Sequence, residues 1–466
     1  MLHRTFRSFT SGPWILAAGF AAGLLWFGAF LSRSLGQPIA HDAYGYRSMA
    51  QIFAGARSLT DFPSEWTEVW FRVRLVGYPL FLAPLAGLTD SDSWFRIGVA
   101  AAQLLLYFAA VTFLSIALRR FLSTPRANAI GFVLLALPYP YVLAVEVLAD
   151  SLTLTLAVGV FAAIALLLSG SRLRLRVAWF FLAAGLSALA LIIRTDAWPV
   201  LIAVAVAGTP VFAEAIISAR SRAQRLGSYV IGAAASTFLA LLVSAAMRPV
   251  QFVTTSRFGM DGNWTPEGGG YVPFGVRYLK YATGIGPPPV DGAIFYENPF
   301  FADGQQAGLL WYLLNPLEAA LYVPLRLFAL VDWDWPFAYV ETVPAGPYPV
   351  LFILTQLVVF NGCVALVVLT RHVGQRRGFS SAERWLGIAV LASVASYLAL
   401  RIPTHVELRY GLAAIAGLAA LATWWLTRPR ANYRRVLFLQ AIAVVVWLPL
   451  AWLLASWIQS FVVLSA

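Results

Sequence analysis

Apolar runs of about twenty residues recur along this chain, and a run of that length matches a hydrocarbon core roughly 30 Å thick. No water reaches backbone N–H and C=O groups in such a core, so each run has to close its own hydrogen bonds as a helix. The first lies at Pro13 to Leu31. Ten more fall near Ile97 to Leu118, Ala127 to Val145, Ser151 to Leu168, Val177 to Ile193, Trp198 to Ile217, Leu226 to Ala246, Pro347 to Thr370, Trp385 to Leu400, Gly411 to Leu426 and Val436 to Val462. They predict an all-α polytopic membrane protein with about 11 transmembrane helices. Hydrophobic residues make up 60% of the chain and charged ones 12%, which excludes a soluble enzyme or a disordered tail. Continuous runs twice the length of a membrane β-strand exclude an outer-membrane barrel.

The charges orient the helices. Nineteen of the 33 basic residues fall in segments assigned to the cytoplasm, among them Arg4, Arg7, Arg119, Arg120, Arg172, Arg174, Arg176, Arg371 and Arg428, and only Glu214 and Glu383 join them there. The excess of +12 is therefore a positive-inside signal and not a nucleic-acid footprint. It places the N-terminus in the cytoplasm and the C-terminus outside. The first run has no small-residue cleavage site and reads as a retained helix. Leu75 to Leu88 is short and broken by Gly77, Pro79 and Pro84, and Leu309 to Val331 carries Asn315, Pro316, Glu318, Pro324 and Arg326. A crossing at the latter would turn the basic loops around Arg371 and Arg428 outward, so both stretches are expected at the outer interface as amphipathic or re-entrant helices.

Two large outer loops result, Ser32 to Trp94 and Arg248 to Gly346, within one transmembrane domain spanning the whole chain. The chemistry is expected there, because the cytoplasmic loops are too short to fold a nucleotide-binding domain. No phosphate-binding glycine motif opens a helix. The single cysteine, Cys363, sits in an apolar run and offers neither a disulfide nor a thiolate site. One lysine against 32 arginines hints at a high-GC bacterial genome, a hint about origin only. The expected location is the bacterial inner membrane.

Several outer residues are candidates for chemistry. Asp42 follows the first helix closely and precedes a helical stretch with Met49, Ile52 and Phe53 on one side. Near low-dielectric surroundings its carboxylate suits a general base, and it equally suits a helix cap. Glu146 and Asp150 are four residues apart, so on one helix they would share a face and require a cation. Arg194 beside Asp196, and Arg401 and Arg409 around His405 and Glu407, are the outer cations available. Asp90-Ser91-Asp92 and Asp332-Trp333-Asp334 match a D-x-D metal pattern. A turn with Asp90 capping the helix at Trp94, and an interfacial aromatic belt, are the plainer readings. No metal and no cofactor are expected.

Five segments in this order resemble the GT-C superfamily of membrane glycosyltransferases: HDAYGYRSMAQ from His41, RLVGYPLFLAPL from Arg74, VEVLADSLTL from Val145, IIRTDAWP from Ile192 and HVELRYGL from His405. The likeness runs from about residue 13 to 425 and is nearest to bacterial relatives of protein O-mannosyltransferases and aminoarabinose transferases. It implies a GT-C fold and transfer of a sugar from a polyprenyl-phosphate donor to an envelope glycan, lipid or protein acceptor. Asp42 would be the catalytic carboxylate and Arg194, Arg401 and Arg409 the donor-phosphate ligands. Glu146, Asp150, Asp196 and Glu407 would be supporting acids, with His41, Tyr44, Arg72, Arg74 and His405 as further substrate contacts. His41 and Ala43 flank Asp42, so the D-x-D of metal-dependent members is lacking there. The competing classes are a ligase or polymerase acting on polyprenyl diphosphates and a lipid-linked-sugar flippase or transporter. The latter should carry inverted repeats and mid-membrane charges.

Overall fold

A computed structural model describes residues 13–39, 41–56, 76–194, 197–217, 276–278, 294–295, 316–331, 348–375, 380–401, 406–407, 412–428 and 433–460. The expected crossing at Leu226 to Ala246 lies outside these. The described residues form helices and a small sheet, and the chain divides into two compact units, residues 1–251 with 368–396, and residues 252–367 with 397–466.

The first unit opens with α1 (Trp14–Ser34), α2 (His41–Phe53), α3 (Gly77–Ala86) and α4 (Asp92–Leu118). It continues with α5 (Thr124–Ala136), α6 (Tyr139–Val145), α7 (Ala149–Ser169), α8 (Leu173–Ile193) and α9 (Trp198–Ile217). In the second unit and the segments shared with it are β1 (Val276–Tyr278), β2 (Ile294–Phe295), α10 (Pro316–Leu330), α11 (Tyr348–Gln375), α12 (Ser381–Arg401), β3 (Val406–Glu407), α13 (Leu412–Leu426) and α14 (Tyr433–Ser460). Among the described residues α1, α4, α7, α8, α11 and α14 are long and apolar enough to cross a membrane, and the bent pair α5–α6 makes a seventh. This is a multi-pass membrane protein. Among the described residues the count of eleven is not confirmed, and α9 and α13 are shorter apolar helices.

The α5–α6 break has a cause in the sequence. A residue before proline avoids the helical region, and Leu137, preceding Pro138, is extended with ψ 131. Pro138 and Pro140 also remove the N–H groups that would have served the carbonyls of Leu134 and Ala136 four residues earlier. Neighbouring side chains serve them instead. The Tyr107 hydroxyl donates to Leu134 O at 2.7 Å, the Trp26 indole N–H to Ala136 O at 3.1 Å and the Tyr141 hydroxyl to Leu135 O at 2.5 Å. The span bends by 42° with these carbonyls satisfied. Gly19 and Gly23 let α1 approach the bend closely, since a Cβ at Gly23 would run into the Tyr141 hydroxyl.

α3 explains the GYPLFLA segment. Tyr78, Leu82 and Ala86 are buried, Tyr78 meets Tyr46 edge-on at 4.9 Å, and its hydroxyl accepts a 2.8 Å bond from Gln103. Gln103 is eleven residues into α4, so α3 reaches about 16 Å along that helix at 1.5 Å per residue. Gly77 is required because a Cβ there would stand 2.7 Å from the Ile192 carbonyl. α3 thus buries one face against the bundle, while Leu80 on the other stays exposed.

In the second unit Gln440 donates to Asn361, and the Trp447 indole donates to Gln356 at 3.1 Å, joining α14 to α11. β1 pairs antiparallel with β2 and parallel with β3.

Candidate functional site

α1, the α6–α7 turn, the α8–α9 turn and the start of α4 meet at one end of the first unit. The opposite end holds Arg119, Arg120 and Arg172, with Arg176 pairing Glu214 at 2.9 Å. Glu146 and Asp150 therefore lie at the end away from that basic cluster.

The α6–α7 turn sets their spacing. Leu148 N–H donates to Leu143 O at 3.0 Å and Val147 N–H to Ala144 O at 3.2 Å, the bond pair of a Schellman cap. Its left-handed position is occupied by Val147, at φ 56. Glycine is the usual residue there; a β-branched one costs about 1–2 kcal/mol. Val147 is buried beside Ala149, Leu152 and Ile193, and this packing holds the strained backbone.

This turn corrects the shared-face expectation for Glu146 and Asp150. Glu146 caps α6 and Asp150 lies in the first turn of α7, so the two acids have different partners. Asp150, 6% exposed, pairs with Arg194 at 2.8 Å. Glu146 accepts a 2.7 Å bond from the Ser34 hydroxyl. Burial pushes the Glu146 carboxyl above the usual carboxylate range, against the opposing pull of the Ser34 hydrogen bond and the Arg96 charge.

His41 and Asp42 are the first two residues of α2, and their side chains lie outside what the structure describes. The buried face of α2 runs through Ala43, Tyr46, Met49 and Ala50. Phe53, expected on the apolar side with Met49, is exposed, as is Tyr44. Arg72, Arg74, Asp196, His405 and Arg409 fall outside the described residues. Arg401 ends α12 and Glu407 lies on β3 in register with Arg277; neither side chain is described.

Sequence reasoning missed Arg96. It is 2% exposed and donates to the carbonyls of Ser34, Gln37 and Pro38, the latter two at 3.1 and 3.2 Å. A charge in the first turns of an apolar helix was the available signal. The expected loop ended at Trp94 and the expected crossing began at Ile97, so Arg96 fell between the two. Asp92 is also used differently: it pairs with Arg47 and accepts the Ile39 N–H at 3.0 Å. Ser91, and not Asp90, caps α4, accepting from Trp94 N–H at 3.5 Å. Among the described residues no three His, Cys, Asp or Glu side chains come together as a metal-binding group.

No family model matches the chain. No curated protein matches it either. Several solved structures are similar, among them these. Over 93% of this chain and 63% of its own length, ArnT from Cupriavidus metallidurans, bound to undecaprenyl phosphate, aligns with 15% identity and a TM-score of 0.47. The oligosaccharyltransferase AglB from Archaeoglobus fulgidus, in complex with an inhibitory peptide and a dolichol-phosphate, aligns over 95% and 55% with 14% identity and a TM-score of 0.47. The apo form of the Archaeoglobus fulgidus enzyme gives 12% identity and 0.46 over 96% and 56%. This chain thus spans less than two thirds of the length of each.

Proposed function

We propose that this protein is a GT-C-type membrane glycosyltransferase of the bacterial inner membrane. It transfers a sugar from a polyprenyl-phosphate donor to an envelope acceptor on the non-cytoplasmic side. The observation that carries this reading is the meeting, at one bundle end, of the α2 start bearing Asp42 with the Glu146 turn and the Asp150–Arg194 pair. These belong to three of the five segments that resemble the superfamily, and they lie away from the arginine cluster that marks the cytoplasmic side under the positive-inside rule.

The reaction asks for little beyond this. The acceptor hydroxyl gives its proton to the Asp42 carboxylate as its oxygen bonds the anomeric carbon. The bond from that carbon to the donor phosphate breaks, passing through an oxocarbenium-like state. The departing phosphate keeps the electron pair, and arginine stabilises the charge. Arg194 supplies this from the described end, oriented by Asp150, and Arg401 and Arg409 are assigned the same role, with Arg72 and Arg74 as helpers. Direct attack inverts the anomeric centre. Asp42 has no acidic neighbour in sequence, and Asp92 is committed to Arg47 and Ile39, so the reading is metal-independent.

The test is transfer from undecaprenyl-phosphate-linked labelled sugars to an envelope lipid extract by the purified full chain, wild type against Asp42→Asn. Asparagine remains a good helix cap but accepts no proton. Turnover should fall by roughly 10²–10⁴ with the melting temperature kept. Near-normal turnover in the folded variant removes Asp42 as the base. Turnover with diphosphate donors alone moves the protein to the ligase class.

A further inference from the structure

We propose that Asp92 and Arg96, one turn apart at the start of α4, are positioning residues that fix Asp42 by holding the chain on both sides of it. This rests on the reading of Asp42 as the base. The segment between α1 and α2 is irregular, with Gly36 at φ 85, and irregular backbone does not hold its own position. α4 holds it. Arg96 donates to the carbonyls of Ser34, Gln37 and Pro38. One Asp92 oxygen accepts the Ile39 N–H, three residues before Asp42, and the other pairs with Arg47, five residues after it.

Arg47 is fixed from three directions. Besides the Asp92 carboxylate, it donates to the Asp90 carbonyl at 2.6 Å and lies over the Phe95 ring at 5.1 Å. Every one of these groups belongs to the first turns of α4 or the loop entering it. Arg47 is 9% exposed and Arg96 2%, and charges this buried are a costly way to pack a loop, which apolar residues of similar volume do as well or better. What the ions add is direction. Bonds to four consecutive-to-near backbone groups before Asp42, and to one side chain after it, fix both the entry and the rotation of α2. The same Ser34 whose carbonyl Arg96 holds gives its hydroxyl to Glu146, tying the α2 entry to the acid turn.

A base displaced by about 1 Å loses about 10²-fold in rate, because proton transfer demands hydrogen-bond geometry. The experiment uses the full chain in lipid nanodiscs with the undecaprenyl-phosphate donor assay, adding undecaprenyl phosphate binding by tryptophan fluorescence and hydrogen exchange of residues 38–46. Asp92→Asn and Arg96→Gln should each lower kcat by about 10²-fold at unchanged undecaprenyl phosphate affinity, with faster exchange at 38–46. Asp92→Glu, which keeps the ion pair, should recover most of the rate. Should Arg96→Gln fail to fold, Asp92→Asn carries the test, since it keeps side-chain size and an acceptor for Ile39. Unchanged kcat in folded Asp92→Asn, with Asp42→Asn inactive, overturns the positioning role and leaves Asp42 standing. Active Asp42→Asn overturns the base, and the positioning role with it.

Discussion

Tyr107→Phe isolates one hydrogen bond at the bend of the α5–α6 span. The ring is 1% exposed and stays in place, so no cavity larger than the lost hydroxyl forms. What changes is the Leu134 carbonyl, which loses its 2.7 Å donor and has no backbone alternative, because position 138 is proline. An unsatisfied buried carbonyl costs about 1–3 kcal/mol. Interhelical hydrogen bonds in a bilayer reach about 1.7 kcal/mol at most in double-mutant cycles, because the unfolded chain in the membrane also finds partners. The two bounds overlap at roughly 1–1.7 kcal/mol, the expected destabilisation. Equilibrium unfolding in mixed detergent–SDS micelles measures it. Pro138→Ala provides the second arm of a cycle: it restores an N–H at position 138 and frees Leu137 from its extended conformation, so Tyr107→Phe should cost less in that background. A loss under about 0.3 kcal/mol, or the same loss with and without Pro138, would refute the account of the bend.

Two further outcomes follow from the acid cluster. Burial raises the Glu146 value in the folded state above its unfolded value of about 4.3, so this group's stabilising contribution is complete at lower pH and is lost as pH rises through the raised value. Relative to Glu146→Gln, the wild-type melting temperature should therefore decline across that window, and parallel curves from pH 4 to 8 would show that Glu146 does not titrate this way. Transfer activity should survive EDTA; loss of turnover that Mg²⁺ or Mn²⁺ restores would place a metal at the site.

The helices were legible because a hydrocarbon core imposes one length and one backbone solution on every crossing, and the sidedness of the arginines follows from the same physics. That Leu75 to Leu88 forms only a short apolar helix was legible too, from its prolines and its length. Its burial was not, since that depends on Gly77 meeting Ile192 and Tyr78 meeting Gln103, contacts distant in sequence. Four-residue spacing misled at Glu146 and Asp150 because it assumes a continuous helix, and nothing in the string VEVLAD announces a left-handed valine. The contrast with the end of α2 is instructive: there Ala56 N–H donates to Gln51 O and Gly55 N–H to Ile52 O, the same cap with glycine at the left-handed position, φ 71. Arg96 escaped notice because its partners are backbone carbonyls, which no side-chain pattern reveals, and Asp92 drew attention only as half of a D-x-D pattern.

With valine in that turn, the local chain by itself disfavours the geometry it adopts, and the surrounding apolar side chains impose it. The separation of the two carboxylates is thereby encoded in the core. Genetic suppressors that retune the Asp150–Arg194 pairing should accumulate at Ala149, Leu152 and Ile193, buried positions with no charge and no part in proton transfer. Selection on the chemistry of this site would be recorded in the sizes of its hydrocarbon side chains.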